Sequence, residues 1–403
     1  MANHRVAITG IGVISAIGRD VSEFWASLAA GKCGIRPLKS VDTATLRFRN
    51  GAEVEDYDSS GYFEEKRADF MDRFAQFAVI AGREAVAQAG IEWTPDLREN
   101  AGIVTGSCVG GQSAEDTGFV ELYKLGRNRV HPLTIPKVMA NAGASHLSME
   151  FGITGPSYTI STACSSATHA IGQAYWMVRM GQVDLALAGG SEATFSVGIL
   201  KAWEAMRVVS GDTCRPFSRN RTGMILGEGA AMMVLEPLDR ARARGATVHG
   251  EIVGFGMSAD ASHITQPSSA GASRAMRAAL RDAGLEPESI GYINAHGTGT
   301  QANDGTETAA IRAVFGAHAD KLAVSSTKSM HGHALGAAGA IEAAATALAL
   351  RNGLLPPTAN YTQPDPECDL DVIPNIARPA EVEYALSNSF AFGGLNAVLA
   401  LRR

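Results

Sequence analysis

Four short motifs in this 403-residue chain gather side chains able to do chemistry. Residues 160–167, ISTACSSA, place Cys164 just before a run with apolar Ala167, Ile171, Ala174 and Val178, whose spacing predicts a helix over 165–180. Unpaired N–H groups and the dipole at a helix N-terminus favour thiolate, the nucleophilic form. Taken alone, Cys164 defaults to a small buried hydrophobe. Residues 294–300, NAHGTGT, end a strand in His296 and a Gly/Thr turn, with Asp304 beyond. Residues 326–333, STKSMHGH, bring Lys328, His331 and His333 ahead of an Ala-rich helix carrying Glu342. An HxH pair is a weak metal signal, and Lys328 would oppose a cation in the same pocket. Residues 387–396, SNSFAFGGLN, either join two strands or present backbone N–H groups to an anion.

The elements that must position these motifs read as α/β, because β-rich runs alternate with Ala-rich helical runs. Strands are predicted at 6–8, 102–105, 185–188, 231–235, 290–294 and 397–401. Several are continuously apolar, as strands covered on both faces are. There is a faint repeat. FAVIAGREAVAQAGI (77–91) resembles GASRAMRAALRDAGL (271–285), each ending in Ala-Gly where glycine suits a helix C′ position. Upstream, RVAITGIG (5–12) loosely parallels GEIVGFGM (250–257), which suggests two similar halves packed as one unit. The Gly10–Gly12 turn lacks the third glycine and the later acidic residue of a dinucleotide site.

Composition narrows the class. Lys+Arg is 35 and Asp+Glu 41, for a net charge of −6, and no basic block exists to track a phosphate backbone. Hydrophobic residues make up 46% and charged ones 19%, enough for a large core. The five cysteines are widely spaced with no CxxC, against a disulfide framework or zinc site. The N-terminus shows no signal-peptide pattern, and the apolar stretch 334–350 is too short and weakly hydrophobic to span a membrane. A cytoplasmic protein with no nucleic-acid partner is expected.

In this order, the motifs resemble the β-ketoacyl-acyl-carrier-protein synthases, condensing enzymes of the thiolase fold, over nearly the whole chain. The elongating, ketoacyl synthase II-like type is most similar, since it uses Cys-His-His. Thiolases share the fold, but their second cysteine has no counterpart in this tail. The resemblance implies a layered α-β-α-β-α unit of two βαβαβ-type halves, 1–245 with the nucleophile and cap insertions and 246–403 with both catalytic histidines. It implies a decarboxylative Claisen condensation through an acyl-Cys164 intermediate, with His296 and His333 donating to the malonyl enolate oxygen. Backbone N–H groups of Cys164 and Phe392 would form a separate oxyanion hole, and Phe392 a movable gate. Lys328 and Glu342 match supporting positions, as does Asp304. Thr298, Thr300 and Thr265 would hold the pantetheine arm, which the acyl carrier protein brings, so no cofactor is required. A structural Na+ or K+ would sit at Asn294, Glu342, Ser387 and Asn388. A homodimer is the family norm, and a heterodimer with a second ketosynthase-like subunit also occurs.

Further features set this chain apart. Ala391 and Leu395 replace a Gly and a Thr of the usual SFGFGGTN tail, which would stiffen the gate if residue 391 needs φ > 0. Lys66, Arg67, Arg73 and Arg207 are candidates for docking an acidic carrier, or else solvated helix charges. Val109, Trp203 and Phe390 are candidate acyl-tunnel residues, or else ordinary core. Trp203 is larger than the usual Phe, and this predicts a restricted acyl chain. A non-catalytic chain-length-factor-like subunit is the main rival, but such partners lose the nucleophile. A thiol hydrolase would need no second histidine donor.

Overall fold

Strand β1 (Val6–Ser15) is buried along its whole length. Its glycines explain how. A Cβ on Gly10 or Gly12 would lie 2.0 or 1.9 Å from the carbonyl oxygens of Ala85 and Ala81 on helix α1 (Arg73–Ala89). Gly10 and Gly12 therefore lie within the strand, not in a nucleotide loop, and serve backbone-to-backbone packing. The same contact recurs in the second half. A Cβ on Gly254 or Gly256 of β6 (Gly250–Ala259) would lie 2.5 or 2.2 Å from the carbonyl oxygens of Ala279 and Ala275 on α4 (Ser269–Ala283). Helices α1 and α4 both end on a left-handed glycine, Gly90 (φ 61°) and Gly284 (φ 65°).

The computed structural model describes residues 3–403. The other strands of the ten-stranded sheet are β2 (Ala101–Gly106), β3 (Ser157–Ile160), β4 (Leu185–Glu192), β5 (Gly229–Pro237), β7 (Ile290–Asn294), β8 (Ala323–Ser325), β9 (Tyr384–Phe390) and β10 (Leu395–Arg402). The sheet order is β3-β2-β4-β5-β1-β6-β10-β9-β7-β8. It reads the same from either end: β2 is parallel to β3 and β4, as β7 is to β8 and β9. Likewise β5 runs antiparallel to β4 and β1, as β10 does to β9 and β6. The two halves meet at one short antiparallel seam, from Val6 opposite Ile252 to Ile8 opposite Gly250.

Helices α2 (Ser166–Arg179) and α6 (Ala338–Asn352) each contact strands of both halves and form the middle layer. Helices α1 and α4 cover the outer faces, so the layers run α-β-α-β-α. This is the expected thiolase-like α/β arrangement. The apolar stretch near 334–350 is explained by α6, which is buried from Ala338 to Leu350. Among the described residues, no helix is long and apolar enough to cross a membrane. Two further helices matter for the site: α3 (Val197–Met206) and α5 (Gln301–Phe315).

Candidate active site

Cys164 follows β3 and stands two residues before the first residue of α2, whose N-cap is Ser165. The turn is strained, with Ala163 at φ 52°. Hydroxyls hold it: Ser166 Oγ donates to Ala163 O at 2.6 Å, and Ser165 Oγ to Leu395 O at 2.9 Å. Burial pushes the Cys164 thiol up to about 12, against the positive charge of Lys328 and the N–H of Phe392 facing its sulfur. The thiolate expected from the helix N-terminus is therefore overridden by desolvation, and the resting group is a thiol.

His296 follows β7, and His333 lies in the turn leading to α6. Their rings meet edge to face, with centroids 5.4 Å apart. Burial, reinforced by Lys328, pushes both imidazoles well below their ordinary range, so both are neutral. Their partners fix the tautomers. The backbone N–H of Leu335 lies 3.2 Å from His333 Nδ1. Lys328 Nζ, which only donates, lies 3.3 Å from His296 Nδ1 and 2.7 Å from His296 O. Both Nδ1 atoms accept, so each ring carries its proton on Nε2. Lys328 is fully buried and paired with the fully buried Glu342. Burial pushes the Glu342 carboxyl up, and Lys328 opposes this. His331 belongs to the frame instead: Nδ1 donates to Gly332 O at 2.8 Å, and Nε2 accepts from Thr327 Oγ1 at 3.0 Å.

One cavity joins Cys164, His296 and His333 with Thr298, Thr300, Thr265, Trp203, Phe390 and Phe392. Thr298 and Thr300 hydroxyls lie 2.9 Å apart, while Thr265 is on an exposed loop. Phe390 packs 6.1 Å from the His296 ring. Val109 stands apart from this lining, on a turn whose N–H groups point to Glu192. The expected penalty at Ala391 is absent, because its φ is −111°; Gly393 (φ 81°) and Gly394 (φ 69°) take the left-handed positions.

Three charged residues escaped the sequence reading. Glu307, one turn beyond Asp304 on α5, accepts the N–H groups of His296 (2.9 Å) and Gly297 (2.8 Å). Glu192, at the end of β4, accepts from Ser107, Cys108, Val109 and Gly336. Buried Arg221 donates to Thr300 O at 3.2 Å and pairs with Asp365. Only the spacing of Asp304 and Glu307 on one helix face hinted at any of them. Asp304 supports the threonine turn rather than the histidines, accepting from Gly299 N and Phe217 N.

Glu342 Oε2, Ser387 Oγ and Asn388 Oδ1 are buried without hydrogen-bond partners, and Asn294 Nδ2 donates to Glu342 O at 3.2 Å. The unpaired oxygens of Glu342 and Ser387 fit a hard monovalent cation between α6 and the sheet, whereas Asn388, next along β9, turns its side chain to the opposite face, where its Nδ2 donates to Glu307 at 3.2 Å. Among the docking candidates, Lys66 and Arg207 are exposed, and Arg67 pairs with Glu150. Arg73 is not available for docking. It forms a two-pronged pair with fully buried Glu228 (2.6 and 2.9 Å) and lies against Tyr57 and Phe77.

The chain matches the models for the β-ketoacyl synthase N-terminal domain over residues 3–241 and C-terminal domain over 249–362. It is 47% identical to nodulation protein E of Rhizobium sp. (strain N33) over 401 residues, 100% of each chain. It is 40% identical to 3-oxoacyl-[acyl-carrier-protein] synthase 2 of Staphylococcus aureus (strain COL), over 100% of this chain and 99% of that one. The solved ishigamide ketosynthase/chain length factor superposes with a TM-score of 0.95 at 39% identity, covering 100% of this chain and 99% of that one.

Proposed function

The chain belongs to the β-ketoacyl synthase family, and from that premise we propose that it elongates a carrier-bound acyl chain by two carbons. The observation that carries this reading is a pair of neutral histidines, both protonated on Nε2, in one cavity with Cys164. In the first half-reaction the Cys164 sulfur attacks an acyl-pantetheine thioester. The N–H groups of Cys164 and Phe392 hold the oxyanion, the C–S bond to pantetheine breaks, and the departing sulfur takes the proton that Cys164 loses. In the second, malonyl thioester loses carbon dioxide. His296 and His333 Nε2–H groups hold the enolate oxygen while its carbon attacks the acyl-Cys164 carbonyl. A C–C bond forms, the C–S bond to Cys164 breaks, and the thiolate takes up one proton.

Lys328 keeps His296 in its donor tautomer, and Glu342 balances its charge. Thr298, Thr300 and Thr265 hydrogen-bond the pantetheine arm. Asn294, Glu342 and Ser387 would hold Na+ or K+ as a structural charge. An acyl carrier protein docks near Lys66, Arg67 and Arg207. A second subunit, identical or ketosynthase-like, covers β3; its edge position, with exposed Tyr123 (80%) and Ile135 (66%) in the preceding segment, supports this. Five free cysteines support a cytoplasmic setting. Trp203 in the cavity supports a restricted acyl range.

The test is mass spectrometry of the carrier-bound product from acyl- and malonyl-carrier proteins. A β-ketoacyl chain two carbons longer is expected. Thioester hydrolysis without carbon–carbon bond formation would point to a hydrolase. Carriers of graded acyl length test the range, and efficient use of long saturated chains would refute its restriction.

A further inference from the structure

In the proposed reaction Phe392 acts twice: its backbone N–H faces the Cys164 sulfur, and the residue lines the cavity. Its ring lies nearly parallel to the indole of Trp203, with centroids 5.9 Å apart and planes at 25°. The two aromatic residues stand on supports of unequal stiffness. Trp203 is held by α3, which is anchored through buried Leu200. Beside it, Lys201 donates to Thr45 O, and Glu204 accepts from Arg47 N. Phe392 is followed by two left-handed glycines. Its loop is tied by Gly393 N–H to Ile264 O (2.7 Å), Gly394 N–H to Ala391 O (3.0 Å), Ala391 N–H to Leu395 O (3.2 Å) and Asp260 N–H to Gly394 O (2.9 Å), none of which uses the N–H of Phe392 itself.

We propose that Trp203 is a positioning residue whose indole face holds the hinged Phe392 loop where its N–H is aimed at Cys164. Trp203 thereby sets the balance between the assembled oxyanion hole and a loop swung away from it. An offset aromatic stack shifts such a balance by roughly two- to tenfold. The inference deepens the condensing reaction proposed above and rests on it. It differs from tunnel narrowing, which would act on acyl length and would not depend on the Phe392 ring.

The test is a double-mutant cycle of Trp203→Ala and Phe392→Ala in the full chain, read by two rates at Cys164. One is acylation by an acetyl-pantetheine thioester, followed by intact mass. The other is alkylation by iodoacetamide, which needs no oxyanion hole. Trp203→Ala should lower acylation relative to alkylation by roughly two- to tenfold, and this effect should vanish in the Phe392→Ala background. Trp203→Phe, which keeps a ring, should restore most of the wild-type ratio. Independent, multiplying effects in the double variant, or an unmoved ratio in Trp203→Ala, would overturn the proposal. Failure of the wild type to acylate would overturn the condensing reading, and this inference with it.

Discussion

The backbone N–H of Leu335 lies 3.2 Å from Nδ1 of His333 and thereby decides which ring nitrogen carries the proton. Leu335 holds this position at φ 43°, a costly conformation for a branched side chain. The strain is local, and what it secures is an N–H donor at Nε2.

Replacing His333 with Ala should therefore lower condensation by on the order of 10²–10³, the usual cost of one oxyanion donor. His333→Asn, which keeps an N–H donor, should lose less. Steady-state kinetics checks both. Equal losses in the two variants would count against a donor role.

Burial holds the Cys164 thiol at about 12, so the nucleophile rests protonated near neutrality. Its alkylation by iodoacetamide should climb by about tenfold per pH unit from pH 7 to pH 9, whereas an ordinary thiol levels off above about 8.5. The rate is followed by intact mass, with Cys164→Ala as the blank. A plateau below pH 8 would show a thiolate stabilised by its surroundings.

Lys328 and Glu342 compensate each other where neither meets water. Removing one partner alone, as in Lys328→Met or Glu342→Leu, should cost about 3–5 kcal/mol of stability, and removing both should cost less. Urea unfolding measures this. Additive losses in the double variant would mean that the two charges are compensated elsewhere.

Arg73 and Lys66 should separate cleanly. Arg73→Ala strands the buried Glu228 carboxylate and should destabilise the fold by about 3–5 kcal/mol. Lys66→Glu should leave stability nearly unchanged while weakening carrier-protein binding, most of all at low salt. Thermal unfolding and titration calorimetry with the carrier distinguish the two roles.

The parts of the site legible in the sequence were those set by short-range order. Cys164 before a helix, His296 at a strand end and Gly393-Gly394 in a turn each announce themselves within a few residues. Strand and helix positions were equally local, as the paired caps Gly90 and Gly284 show. What stayed hidden depends on contacts across the chain. Glu192 reaches the turns at 107–109 and 336, and Arg73 finds Glu228 155 residues away. Arg73 looked like a surface charge because nothing adjacent in sequence reveals a buried carboxylate opposite it. Cys164 is a related case: the sequence offers both a helix end that favours thiolate and the usual burial of a lone cysteine, and only the fold shows that burial prevails.

The palindromic strand order gives each active-face loop a twin. The loop after β3 carries Cys164, and the loop after its counterpart β8 carries Lys328. The loop after β2 carries Val109, and that after β7 carries His296. Two separate identical chains would be obliged to place the same residue in both members of every pair. Covalent fusion lifts that obligation. One copy of a loop is free to become a nucleophile while its twin supplies a cation, and one to supply a proton donor while its twin stays outside the cavity. A near-symmetric scaffold can thus hold a deeply unsymmetric reaction centre, with the division of labour written into one polypeptide.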